Sequence, residues 1–322
     1  MAKPLKTDKL IRSIKRRAMI PEDQVTFDTE DFLEMINEEI QTNALSHLLT
    51  VHEEYLVYFV DVPFEEGKQS YEIPARSVGN KLRDLHFVDS NGDIIREASR
   101  VSLEELMDYK YNNDSNYTGQ FYIQNNKVVI IGAAPQSLSS LRMYFYLSPS
   151  EMVEEKETGS ITSIDRVNGI VTVDNFPSRF STNSLFDFVS SRNPNNVISF
   201  DITAVSTDSV TKSATFALTD ISEDLKVGDY LCVSEETPVA QLPSELHSVL
   251  AQRVSIVCLE SLNDTEGLTN AQRKLMEKEK ASWDLVDNRV EGANQKINNR
   301  HGTYSQASVS PFYQRSSLTG NK

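Results

Sequence analysis

Cysteine, tryptophan and long apolar runs are all scarce in this chain of 322 residues, and each shortage excludes a class of protein. The two cysteines, Cys232 and Cys258, are too few for a disulfide framework and too far apart for a metal or redox pair, so buried free thiols are expected. The longest apolar stretches, Tyr55 to Val60 and Val128 to Ile131, fall far short of the roughly 20 residues a membrane span needs, so no membrane partner is expected. Met1 to Ile20 lacks the apolar core of a secretory signal, which points to synthesis in a cytoplasm. Twelve glycines and 11 prolines exclude collagen-like and low-complexity chains.

Catalytic signatures are missing as well. Gly67-Lys68 is followed by Gln69, and no upstream glycine completes a phosphate loop. Gly-x-Ser-x-Gly and Gly-x-Gly-x-x-Gly runs are absent. His52-Glu53-Glu54 starts like a zinc-protease helix, but Leu56 stands where the second histidine belongs. The other histidines, His47, His86, His247 and His301, are scattered, and the acid pairs Glu38-Glu39, Glu65-Glu66 and Glu104-Glu105 read as solvated faces. No catalytic residue, metal ligand or cofactor is therefore expected, and a metal-dependent hydrolase built on scattered acids ranks last among the functional readings.

Charge is present and unevenly placed. Residues 1–20 carry seven Lys/Arg against Asp8 alone, a balance of +6, and residues 295–322 carry four cations and no acid. Removing both ends from the net −15 leaves −25 on residues 21–294, which hold 46 acids and 21 bases. An acidic body with basic ends predicts ends that seek an acidic partner, either a neighbouring protein or another copy of the chain, because the body itself repels nucleic-acid phosphate. The N-terminal candidates are Lys6, Lys9, Arg12, Lys15, Arg16 and Arg17.

Periodicity predicts an α+β chain. Helices are expected over Lys6 to Met19, from an Asp28 or Thr29 cap to Gln41, and again in Asn43 to Val51. The period then drops to two. Tyr55 to Val62 is expected to form a hairpin with Gln69 to Ile73, and Leu82 to Val88 with Asp93 to Glu97 across Asn91-Gly92. Ser102 and Glu105 form a capping box for a helix over Leu103 to Met107; Tyr122 to Gln124 and Lys127 to Ile131 flank Asn125-Asn126, and Leu141 to Leu147 is a further strand. Five β-branched runs then follow: Ile161 to Ile164, Ile170 to Val173, Val197 to Thr203, Ser213 to Leu218 and Tyr230 to Val233. Their spacing predicts a small barrel or sandwich inserted over 158–241. Pro243 opens an amphipathic helix to Leu262, and Thr269 caps another to Glu291, giving an antiparallel pair. The domain layout expected is a basic arm (1–26), a core of 27–157 with 242–294, the inserted module 158–241, and a basic extended arm (295–322).

Apolar periodicity stops in the last segment, where Tyr304, Pro311, Phe312, Tyr313 and Arg315 read as anchors for a partner. Pro311 presets an extended course and Arg315 can meet a carboxylate bidentately.

The succession Gln69-Ser-Tyr-Glu-Ile-Pro74, Leu82 to Ile95 around Ser90-Asn91-Gly92, Val101-Ser-Leu-Glu-Glu-Leu106, Tyr122 to Ile131, Pro135, and Leu141 to Leu147 with Pro149 resembles the head-to-tail connector adaptors of tailed bacteriophages. The likeness is to the tail-tubular type of short-tailed phages, and the Asn-rich, acidic style is similar to that of the crAss-like group. It implies a structural virion protein of the neck: a ring of about twelve copies, docked under the portal protein by the helical pair and the C-terminal arm. Downstream tail proteins would bind its far side, and DNA would pass through without specific binding. The module 158–241 departs from the compact pattern of that family. It supports an alternative, a carbohydrate-binding or adhesin-like tail protein, although its aromatics are six phenylalanines and Tyr230 with no tryptophan, whereas sugar platforms favour Trp and Tyr.

Overall fold

The structure is a computed structural model and describes residues 5–22, 26–51, 54–102, 119–131, 137–192 and 195–286. The fold is α+β: a helical cluster, two four-stranded sheets and a closed six-stranded barrel. The expected helix over Leu103 to Met107, the break at Pro135 and the C-terminal anchors Tyr304, Pro311, Phe312, Tyr313 and Arg315 lie outside the described residues.

Helix α1 (Thr7–Arg17) buries Leu10, Ile11 and Ile14, spaced on one face, while Asp8 sits in its first turn and Lys15, Arg16 and Arg17 in its last, each where the helix dipole favours its charge. Helix α2 (Thr29–Glu39) begins at a reciprocal cap: the Asp28 carboxylate accepts from the Asp31 N–H (2.9 Å), and the Asp31 carboxylate accepts from the Asp28 N–H (2.8 Å). A π-helical turn over Ile40–Ala44 carries it into α3 (Leu45–Val51). These helices share one core with Leu242, Leu246, Leu250, Ala251, Val254 and Cys258 of the C-terminal part. The basic N-terminal stretch is thus a packed helix and not an arm reaching away from the body, because its apolar stripe is buried against that core.

The first sheet runs β1 (Val57–Pro63), β8 (Ser140–Leu147), β3 (Ser77–Val88), β4 (Ile94–Glu97); the second runs β2 (Ser70–Glu72), β7 (Lys127–Ile131), β6 (Gln120–Gln124), β5 (Ser99–Arg100). Leu85, Phe87, Leu141 and Met143 of the first meet Tyr71, Phe121, Val128 and Ile130 of the second in a shared core. The β3–β4 and β6–β7 hairpins match the turn chemistry: Gly92 has φ +88°, and Asn125 and Asn126 have φ +50° and +60°. The expected pairing of β1 with β2 does not occur. Strand β1 pairs with β8 and β2 with β7, so the chain crosses between sheets at the Gly67 turn. The Asp61–Arg142 ion pair, at 2.8 Å, locks β1 to β8 in that register.

The two chain crossings into the barrel run side by side, as β9 (Glu151–Met152) parallel to β16 (Glu236–Thr237). The barrel closes in the order β10 (Gly159–Asp165), β11 (Ile170–Val173), β14 (Ser213–Phe216), β13 (Val197–Asp208), β12 (Leu185–Val189), β15 (Tyr230–Val233). It has one strand more than expected, β12, whose Phe186 and Phe188 meet Phe216 edge-to-face at 5.7 and 5.1 Å in the barrel interior.

Helix α4 (His247–Ser261) is buried on nearly every side, including Gln252 and Ser255, so it is the central rod of the helical cluster and not an amphipathic surface helix. Helix α5 (Thr265–Val286) starts a turn before the expected Thr269: the Asp264 carboxylate accepts from the Gly267 N–H at 2.9 Å, and the Thr269 hydroxyl instead donates back to the Thr265 carbonyl. Three residues between α4 and α5 make the pair antiparallel. Both cysteines are free and buried, as expected, and among the described residues no helix is long and apolar enough to cross a membrane.

Candidate functional site

Helix α1 is held at its start by three neighbours. The Leu5 N–H donates to His247 Nδ1 (3.0 Å), the Thr7 hydroxyl donates to the Val153 carbonyl (2.7 Å), and the Thr7 N–H donates to the Pro238 carbonyl (3.0 Å). Thr7 thereby ties the helix to the residues that follow β9 and β16, where the chain enters and leaves the barrel. Burial pushes the His247 pKa below its ordinary value, which keeps Nδ1 free to accept.

With Leu10 and Ile14 buried, the cations of α1 divide between two sides. Lys6 pairs with Glu155 (3.1 Å) and lies over the Tyr230 ring, and Lys15 lies over the Phe32 ring (5.3 Å). Lys9, Arg12, Arg16 and Arg17 face the other way, where with Lys274 and Lys278 of α5 they line an open groove of about 620 Å³. A second hollow of about 250 Å³ shares Arg17, Gln252 and Lys274 with it and adds Arg273.

Gln252 of α4, 3% exposed, forms the floor. Its Oε1 accepts from Arg17 Nη1 at 2.8 Å and from Lys278 Nζ at 3.4 Å, and its Nε2 donates to the Ala271 carbonyl at 3.3 Å. A neutral acceptor thus holds two cations together without cancelling either charge. Burial lowers the pKa of Arg17; burial, Arg17 and Lys274 in that order lower that of Lys278. No carboxylate among the described residues lines the larger groove. Asp264 lines the smaller one, where it caps α5. Such a groove can take an anion, and at about 620 Å³ it holds far more than a small ion.

A second cluster of charge is closed. Arg76, from the loop between β2 and β3, is 6% exposed and reaches Asp187 of β12, which is fully buried, at 2.7 Å. Its other terminal nitrogen donates to the Ser150 hydroxyl (3.1 Å), which also accepts from Gln241 Nε2 (3.2 Å). Asp187 accepts from the N–H groups of Asp201 (2.9 Å) and Glu235 (3.1 Å), and the Ser234 hydroxyl donates to the Asp201 carboxylate. Burial pushes the Asp187 carboxyl up, against the pull of Arg76. Asp187 is thus fully engaged with the protein, and the cluster joins the sheets to the barrel beside the Phe145, Leu147 and Val197 contact.

Four of the six N-terminal residues singled out in the sequence therefore converge, and Lys6 and Lys15 do not. The far wall, Arg273, Lys274 and Lys278, was not anticipated; its only trace in the sequence is the i, i+4 spacing of Lys274 and Lys278, which acids at Glu277 and Glu279 obscure. Among the described residues no group of three or more His, Cys, Asp or Glu side chains is placed to hold a metal ion. No family model matches the chain, and no curated protein matches it.

Proposed function

We propose that this chain is a structural adaptor of a tailed-phage neck, one of a ring of copies that joins the capsid portal protein to the tail and surrounds the DNA path. The observation that carries this reading is the segregation of charge: an acidic chain of net −15 gathers seven cations along one pair of hollows between α1 and α5. Patches of opposite sign on one chain suit repeated docking of copies onto each other and onto an acidic neighbour. The acidic remainder, facing a DNA path, disfavours sticking of phosphates. The placement of the barrel phenylalanines supports the adaptor over a carbohydrate-binding module, since Phe180, Phe186, Phe188 and Phe216 fill the interior and are not displayed as a platform. In this reading the segment 295–322, with Tyr304, Pro311, Phe312, Tyr313 and Arg315, is a second docking element.

The test is electron microscopy of the purified protein with and without the portal protein of the same virus. Rings stacked coaxially on the portal are the expected result. Protein that stays unbound at micromolar concentration, or that binds a defined DNA sequence at nanomolar affinity in physiological salt, would overturn the reading.

A further inference from the structure

The cationic groove has a complement on the same chain. Helix α2 exposes Glu30, Glu34 and Glu38, one every four residues on a single face, while Phe32 and Ile36 bury the other. At 1.5 Å per residue the three carboxylates recur about every 6 Å over about 12 Å of helix. The groove repeats that pitch: Lys274 and Lys278 are also four apart, and the exposed cations Lys9, Arg12 and Arg16 span about 10 Å of α1. Lys156 feels the field of Glu30 but is itself paired with Glu154 at 2.9 Å. Stripe and groove share no residue, so one copy can use both at once.

We propose that the groove between α1 and α5 receives the Glu30, Glu34 and Glu38 face of α2 from a second copy of the chain. This deepens the adaptor reading and rests on it for the choice of a neighbouring copy as partner. The contact is heterologous, joining two different surfaces, and such contacts repeat head to tail until they close. Helix-in-groove docking fits the shape, because α1 and α5 form two cationic walls and Gln252, already occupied by Arg17 and Lys278, keeps both walls pointed at the incoming carboxylates. The match of sign and pitch between this stripe and the groove, both on the same chain, favours the protein segment over a polynucleotide.

Charge exchange tests this. One variant carries Glu30→Lys, Glu34→Lys and Glu38→Lys; the other carries Arg12→Glu, Arg16→Glu and Lys274→Glu, all at exposed positions, with folding of each checked by thermal melting. In sedimentation velocity at low salt and about 100 μM protein, the unaltered chain is expected to form concentration-dependent assemblies that weaken about tenfold as salt rises to 0.5 M or so. Each variant alone should remain monomeric. Their equimolar mixture should assemble again, because the lysine stripe of one fits the glutamate groove of the other. An unaltered chain that is monomeric under these conditions overturns the proposal, as does a variant that assembles alone or a mixture that stays apart. A groove variant that loses retention of a generic single-stranded oligonucleotide while self-assembling normally also overturns it, and makes nucleic acid the occupant. Variants that still ring on the portal overturn the groove assignment and leave the adaptor reading standing; rescue in the mixture without portal docking does the reverse.

Discussion

Arg76 and Arg17 both donate to a partner that is almost wholly buried, yet they serve opposite ends. Arg76 meets Asp187, a carboxylate that cancels its charge, and the serine, glutamine and backbone groups around the pair complete it. Arg17 meets Gln252, an amide that orients it and leaves its charge intact beside Lys278 and Lys274. The first arrangement is closed and holds two parts of the fold in register. The second is open, and the charge it retains lines the groove. What separates a cation closed into the fold from one left with its charge free is the partner's charge, and not depth of burial alone.

The largest effect that could break this contrast lies at Arg76. Replacing it with Ala strands Asp187, 0% exposed, without its counter-charge, and should cost about 3–5 kcal/mol in denaturant unfolding. Arg12→Ala, in the groove, should stay within about 0.5 kcal/mol of the parent. The double change Arg76→Met with Asp187→Leu should recover only part of the loss: no charge is then left buried, but the Asp201 and Glu235 N–H groups lose their acceptor. Equal losses at Arg76 and Arg12 would erase the distinction between the two sites.

A smaller effect follows from the tether of α1. His247 is neutral in the fold, accepting at Nδ1 from the Leu5 N–H and donating from Nε2 to the Leu242 carbonyl (3.2 Å). Its pKa is depressed in the fold mainly by burial, with the Leu242 and Ala240 carbonyls and Glu245 opposing. Below the ordinary value of 6.5 the unfolded chain therefore takes up the proton first, and stability is lost as pH falls from about 6.5 toward the folded pKa. The loss is at most about 1.4 kcal/mol per pH unit. It should appear locally, with faster hydrogen exchange in α1 at pH 5 or so than in β12, and His247→Gln should flatten it. Equal acid sensitivity in α1 and β12 would mean that the groove and the junction open as one unit.

How much of this could be read in the sequence depended on how local the cause was. The hairpins at Asn91-Gly92 and Asn125-Asn126 were legible because the residues that take positive φ, Gly92 in one and both asparagines in the other, are written into the turn itself. The partner of β1 was not, since β1 and β8 lie 81 residues apart at the Asp61–Arg142 pair. Strand β12 escaped notice because Asp187 interrupts Leu-Phe-Asp-Phe-Val, and the residue that makes an acid tolerable there, Arg76, is 111 positions away. The groove was half legible. A basic N-terminal helix is visible as composition, but which cations face Gln252 is decided by how α1 and α5 flank α4.

The smallest effect is the most diagnostic, because its sign is unusual. Burial first, and then the neighbouring Arg17 and Lys274, depress the pKa of Lys278, so the fold disfavours its charged form. Lys278→Met should therefore raise stability, by about 0.2–0.5 kcal/mol given that solvent screens most of the repulsion. The lost hydrogen bond to Gln252 subtracts little, since it is long at 3.4 Å and Arg17 keeps the same oxygen occupied at 2.8 Å. Added salt screens like charges, so the gain should shrink between about 0.05 M and about 0.5 M salt. Thermal midpoints of parent and variant across that range measure both the sign and its salt dependence. A loss of about 1 kcal/mol instead would show that Lys278 is satisfied by its surroundings, and the groove would then differ from the Arg76 junction only in exposure.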